Sequence, residues 1–196
     1  VTIDPNNPEV VWIGTGEDQG GRHFGYGDGI YKSLDGGKNW TNMGLKNSER
    51  ISKILIHPKN SNIVWVAVQG PLWSSGGQRG LYKTVDGGKN WKLVLKDNKW
   101  TGATEVILDP SNNKVMYAAL WQRHRPVAAY MGGGPGSGIY KSYDEGETWK
   151  KLTNGLPKSN MGKIGLDISR QNNDILYAAI ELNRRTGGVY KSTDGG

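Results

Sequence analysis

The stretch GIYKSLDGGKNW, residues 29–40, returns as GLYKTVDGGKNW at 80–91 and as GIYKSYDEGETW at 138–149, and a fourth copy, GVYKSTDGG, occupies 188–196. Its aspartates, Asp35, Asp86, Asp144 and Asp194, follow one another at intervals of 51, 58 and 50 residues. A period of this length marks a supersecondary unit that cannot bury its apolar face alone and stacks on its copies. The fourth copy stops before its tryptophan. The expectation is therefore a segment of a longer repeat array, with a closed ring of four units as the alternative.

Other parts of the unit align around this string. A turn, DPNNPEV from Asp4, recurs as HPKNSNI from His57, DPSNNKV from Asp109 and SRQNNDI from Ser169. Each turn leads into a short apolar run holding an aromatic: Trp12, Trp65, Tyr117 or Tyr177. Another apolar run precedes each turn, and a shorter one follows each motif tryptophan, as in WKLVLK from Trp91. Every unit thus reads as four strands, A to D, with turn residues between them and no helical periodicity or caps. Four strands in about 50 residues is the size of a β-propeller blade. A β-solenoid is the runner-up, but its coils are shorter. The predicted fold is all-β, a propeller of four-stranded antiparallel blades at 1–47, 48–98 and 99–158, with an incomplete blade at 159–196. Strand B, almost continuously apolar, is expected to be buried on both faces.

Composition agrees. The 196 residues include 30 Gly, 8 Trp, 9 Tyr and a single Phe, which suits short strands joined by tight turns. Mean hydropathy is −0.62 and no long apolar run occurs, so no membrane span is predicted. Cysteine is absent, which removes disulfides and thiol chemistry from this chain. The net charge of +7 is spread with the repeat (Lys32, Lys83, Lys141, Lys191) instead of massed in one run, and no nucleic-acid motif accompanies it. Nucleic acid is not an expected partner.

The pattern Ser/Thr-x-Asp-x-Gly-x-x-Trp is complete at Ser33, Asp35, Gly37, Trp40; at Thr84, Asp86, Gly88, Trp91; and at Ser142, Asp144, Gly146, Trp149. It is partial at Ser192, Asp194, Gly196. It resembles the Asp-box, or bacterial neuraminidase repeat, and the resemblance implies a C–D hairpin. The residue types explain why: hydroxyl and carboxylate accept backbone N–H groups, glycine takes positive φ, and tryptophan packs over the loop. Catalysis needs different groups converging on one site, whereas this is one group repeated per blade. The aspartates are read as turn-formers.

Antiparallel order puts A–B and C–D turns on one rim and B–C and D–A connections on the other. From the strand-B aromatic to the strand-C tyrosine the B–C segments measure 19, 17, 23 and 13 residues, so variation concentrates there. Variable loops on a rigid scaffold are where binding and catalysis are placed. These loops offer Arg22, His23, Tyr26, Trp73, Arg79, Trp121, Arg123, His124, Arg125, Tyr130, Arg184 and Arg185. Aromatics with arginines suit sugar rings, carboxylates or acidic peptides; the bland alternative is tryptophans packing their own loops. Rim carboxylates are Glu17, Asp18, Asp28 and Glu181, but no spacing singles out a glycosidase pair. His23, His57 and His124 fall in separate units and His57 belongs to the opposite rim, so no metal site is expected. MGGGPGSG at 131–138 lacks the Gly-Lys-Ser/Thr ending of a phosphate loop, and no cofactor is predicted.

The stretches GRHFGYGDGIYKSLDGGKNW, GPLWSSGGQRGLYKTVDGG and WQRHRPVAAYMGGGPGSGIYKS resemble large bacterial proteins of the sortilin-like or glycosyl-hydrolase-like repeat group. That resemblance implies a secreted, periplasmic or cell-surface propeller of many blades. It also implies a peptide, protein or carbohydrate ligand, with the remaining blades as structural partners. The expected role is a binding scaffold acting through the B–C rim. The alternative is a glycoside hydrolase, xyloglucanase- or sialidase-like, whose catalytic carboxylates lie partly outside this chain.

Overall fold

The computed structural model describes residues 1–18, 25–183 and 186–196. Among the described residues fifteen strands form four antiparallel sheets, each with its strands in sequence order. Blade 1 holds β1 (Thr2–Asp4), β2 (Asn7–Gly14), β3 (Ile30–Ser33) and β4 (Thr41–Asn42). Blade 2 holds β5 (Ile51–His57), β6 (Asn60–Val68), β7 (Gly80–Thr84) and β8 (Lys92–Leu95). Blade 3 holds β9 (Thr101–Leu108), β10 (Met116–Gln122), β11 (Gly138–Ser142) and β12 (Lys150–Lys151). The fourth sheet has β13 (Ile164–Ile168), β14 (Leu176–Ile180) and β15 (Gly188–Ser192). Among the described residues there is no α-helix, and no helix able to cross a membrane. The fold is the expected β-propeller, seen as about three and a half blades.

Three apolar layers fill the spaces between consecutive sheets. The first packs Trp12, Ile30 and Val10 of blade 1 against Ile54, Val64 and Val66 of blade 2. The second joins Trp65 and Leu81 to Val106 and Met116. The third joins Ala119 and Ile139 to Ile164 and Ala178. Sheet-on-sheet burial is what makes β6 and β10 apolar on both faces. β14 departs from that expectation and alternates buried with exposed. Trp12 and Trp65 are 0% and Tyr117 is 2% exposed, but Tyr177 is 42% exposed. Among the described residues no sheet lies over its outer face.

The repeated string builds both the hairpins and the joints. In blade 1, Ser33 Oγ donates to Asp35 Oδ1 at 2.7 Å and accepts the Gly37 amide at 2.8 Å. The Lys38 and Asn39 amides donate to Asp35 Oδ1 at 3.0 and 2.9 Å. Thr84, Asp86 and Gly88 repeat the pattern, as do Ser142, Asp144 and Gly146. Gly88 and Gly146 have φ of 97° and 77°, and a Cβ on either would collide with Trp12 or Trp65 of the preceding blade. Trp40 and Trp149 donate to their own loops, at Gly37 O and Gly146 O. Trp91 differs: its indole reaches back to Met43 O of blade 1 at 2.8 Å and stands edge-on to Trp12.

The rims separate as antiparallel order requires. On one, A–B turns meet C–D hairpins: the Gly36 amide donates to Glu9 O at 2.9 Å, the Gly87 amide to Asn62 O at 3.0 Å and the Glu145 amide to Lys114 O at 3.0 Å. On the other, B–C loops meet D–A connections through Ile51 N to Thr15 O and Arg123 N to Trp100 O.

Candidate functional site

The second rim is assembled where strand B ends and the next strand A begins. The B–C loops of blade 2 (loop 2, 69–79) and blade 3 (loop 3, 123–137) interlock there: the Arg125 amide donates to Leu72 O at 3.1 Å, and the Gln78 amide to Asn47 O of the D–A connection at 3.2 Å. Within loop 3, His124 and Met131 exchange backbone hydrogen bonds at 2.9 Å and fold the loop back on itself.

These constraints distribute the candidate residues unevenly. Trp73 and Tyr130 remain half-exposed, at 41% and 40%, with the Arg125 guanidinium 5.9 and 5.2 Å from their ring centroids. This is a cation between two aromatic faces at the surface. Tyr26 is exposed, and the guanidinium of Arg50 lies 5.3 Å from its ring. His124 stacks on Trp100 at 4.1 Å. Trp121 is buried, its indole donating to Gly132 O at 2.8 Å. Arg123 and Lys163 sit 4.7 and 5.8 Å from the Trp121 ring. Arg79 turns inward, donating to Gly76 O at 2.7 Å, Gln69 O at 2.9 Å, Ser74 O at 2.7 Å and Pro71 O. It ties loop 2 together. Arg22, His23, Arg184 and Arg185 lie outside the described residues.

Burial holds Arg79 down to about 10, with Glu49 opposing the shift and Arg50 adding to it. Burial also pulls Arg123 down to about 10, followed by repulsion from Arg50. Both stay cationic at neutral pH. A depression of about 640 Å³ is lined by Asp18, Lys53, Glu105, Lys163 and Glu181, together with residues of β5, β9, β13, β14 and β15. Lys163 links its two ends: Nζ pairs with Asp18 Oδ1 at 3.0 Å, and its amide donates to Glu181 Oε2 at 3.2 Å. Gln69 Nε2 also donates to Asp18. Arg50 and Lys163 belong to D–A connections, so a search confined to B–C loops passes over them. The signal was present in the strand order, which puts both kinds of connection on one rim. Among the described residues no three His, Asp or Glu side chains gather as a metal site.

A family model for sortilin (Sortilin-Vps10; sortilin, neurotensin receptor 3) matches residues 28–194. The chain belongs to the Sortilin-Vps10 family. A probable oligoxyloglucan-reducing end-specific xyloglucanase from Neosartorya fischeri is 28% identical over 99 residues, covering 48% of this chain and 10% of its own length. Among solved structures, an ancestral GH74 enzyme matches 98% of the chain with TM-score 0.72 and 22% identity, over 22% of its own length. The GH74 xyloglucanase of Xanthomonas campestris matches 99% with TM-score 0.70 and 18% identity, over 28% of its length. The Niastella koreensis GH74 enzyme matches 99% with TM-score 0.71 and 22% identity, over 27%. These structures share the propeller fold. The chain spans only a fraction of each of them.

Proposed function

We propose that this chain is part of an extracytoplasmic propeller that binds a glycan on the rim carrying its B–C loops. The carrying observation is the Trp73–Arg125–Tyr130 stack, two half-exposed rings braced by a guanidinium on interlocked loops. Flat apolar faces beside fixed hydrogen-bond donors suit a sugar ring, whose axial C–H groups pack on aromatics while its hydroxyls take the donors. The xyloglucanase names among the relatives support a β-glucan-type ligand. A peptide ligand is the competing binding reading, supported by the receptor in the family description. The open face around Tyr177 supports placing the chain within a larger ring, with a further blade as its structural partner.

Trp73→Ala and Tyr130→Ala are expected to weaken binding to xyloglucan oligosaccharides by roughly tenfold each, the loss of one buried ring contact. Titration calorimetry with the oligosaccharides and with an acidic peptide reads this. Unchanged sugar affinity in both variants defeats the proposal.

The second reading is glycoside hydrolysis, favoured by Asp18 and Glu181 lining the same depression from blades 1 and 4. Two carboxylates across a cleft are what acid–base cleavage of a glycosidic bond requires. Release of reducing ends from xyloglucan, abolished by Asp18→Asn and by Glu181→Gln, is the outcome this reading demands.

A further inference from the structure

Arg123 is a charged group on this rim that the described residues leave without a hydrogen bond. Its side chain is 1% exposed, and Nε, Nη1 and Nη2 are all buried with no acceptor. The cation lies over the Trp121 ring, which offsets part of its lost hydration. Arg79 shows how this rim treats a guanidinium used as a strut: backbone carbonyls take its protons. Arg123 has no such set. A dry guanidinium with unmatched donors is among the costliest groups a fold can retain, and a methionine would fill the same space without that cost. A planar fork held dry and cationic matches the two oxygens of a carboxylate in a bidentate pair.

We propose that Arg123 is the recognition group for the carboxylate of a uronic-acid-bearing saccharide. This rests on the reading of the rim as a glycan-binding surface. Two observations set the ligand class. Arg123 lies over Trp121, whose indole donates to Gly132 O, and Gly132 abuts the Tyr130 ring that closes the stack with Trp73 and Arg125. In this proposal a sugar lies on that stack with its exocyclic carboxylate paired to Arg123. The charges acting on Arg123 are also cationic on balance, Arg50 and Arg79 against Asp18, with Glu181 as a further carboxylate beside Tyr130. A neutral sugar gains nothing from this field, whereas a uronic acid does.

The experiment compares the chain with its Arg123→Met variant in chloride buffer alone, with galacturonate, with galactose and with a triglutamate peptide. In buffer alone Arg123→Met melts about 3 °C or more above wild type, because an unmatched buried charge has been removed. Galacturonate raises the wild-type midpoint and binds the variant at least tenfold more weakly; galactose binds wild type at least tenfold more weakly than galacturonate. A variant that melts below wild type shows that protein acceptors hold the guanidinium, and it overturns the proposal. So does the absence of a galacturonate shift, or a galactose shift of equal size. Triglutamate matching galacturonate overturns the saccharide class. Failure of the underlying rim reading looks different: Trp73→Ala then leaves neutral-oligosaccharide binding intact, whatever Arg123 does.

Discussion

The aspartate of each hairpin holds its turn as an anion, and this makes the scaffold acid-sensitive in a defined window. Backbone and side-chain hydrogen bonds from Asn39, then the Ser33 hydroxyl, hold Asp35 down to about 2. Asp144 also lies at about 2, where the Thr148 hydroxyl and amide overcome the opposing effect of burial. The hydrogen bonds from Asn90 push Asp86 below the ordinary carboxylate range. An unfolded aspartate titrates near ~3.9. A depressed folded-state value means that the stabilisation is complete above that point and disappears as pH falls towards about 2. Asp35→Asn and Asp144→Asn should each melt roughly 2–5 °C below wild type at pH 7, with the gap shrinking between about pH 4 and 2. Calorimetric melts across pH read this directly. A gap that stays constant down to pH 2 would show that the charge contributes nothing.

At the scale of the strand, the lysine of Gly-x-Tyr-Lys emerges as the clasp between blades. Lys32 Nζ donates to Gly87 O at 3.3 Å, Lys83 Nζ to Glu145 O at 2.9 Å and Lys141 Nζ to Gly195 O at 2.6 Å. Each acceptor is the residue following the aspartate of the next hairpin. Each lysine also lies over its own blade's strand-B aromatic, Trp12, Trp65 or Tyr117. Lys191 over Tyr177 repeats the donor half of this joint on the open face, where it is exposed. Lys83→Met, which strips the part-buried Glu145 carbonyl of its donor and leaves Glu147 with Lys92 as its remaining ion-pair partner, should cost about 1–3 kcal/mol. Lys191→Met, at a surface position, should change stability by less than about 0.5 kcal/mol. Urea melts giving equal losses for the two variants would remove the lysine from the joint.

This joint also explains what the amino-acid string alone could reveal. The hairpins were legible because hydroxyl, carboxylate and glycine act within five residues of one another, and the repeat confirms each by the others. The rim was legible as a place, since strand order alone fixes it. Its side chains were not. A loop arginine has the same spelling whether it points to solvent, like a ligand-facing group, or folds under to collect carbonyls as Arg79 does. Trp121 and Trp73 look alike in sequence, yet one is buried and the other half-exposed, because only Trp121 lies on a strand packed between sheets. Those outcomes depend on contacts between loops far apart in the chain.

For the molecule as a whole, a stack of blades has nearest-neighbour stability, so each sheet is as firm as the faces it shares. Blades 2 and 3 are covered on both sides, with β7 and β11 buried throughout and β10 buried at all but its last residue. The fourth sheet shares one face, through Ile164 and Ala178, and presents Tyr177 and Val189 outward. Local opening free energy follows buried apolar contact, so this sheet should open without the rest. Amide exchange at 176–180 and 188–192 is therefore expected to be faster than at 64–68 or 116–122 by at least tenfold, in one cooperative group. A further blade laid on Tyr177 should slow that exchange towards the value for β10, since it would supply the missing face. Uniform protection across all four sheets would mean that the blades unfold as a single unit and that the open face costs the fold nothing.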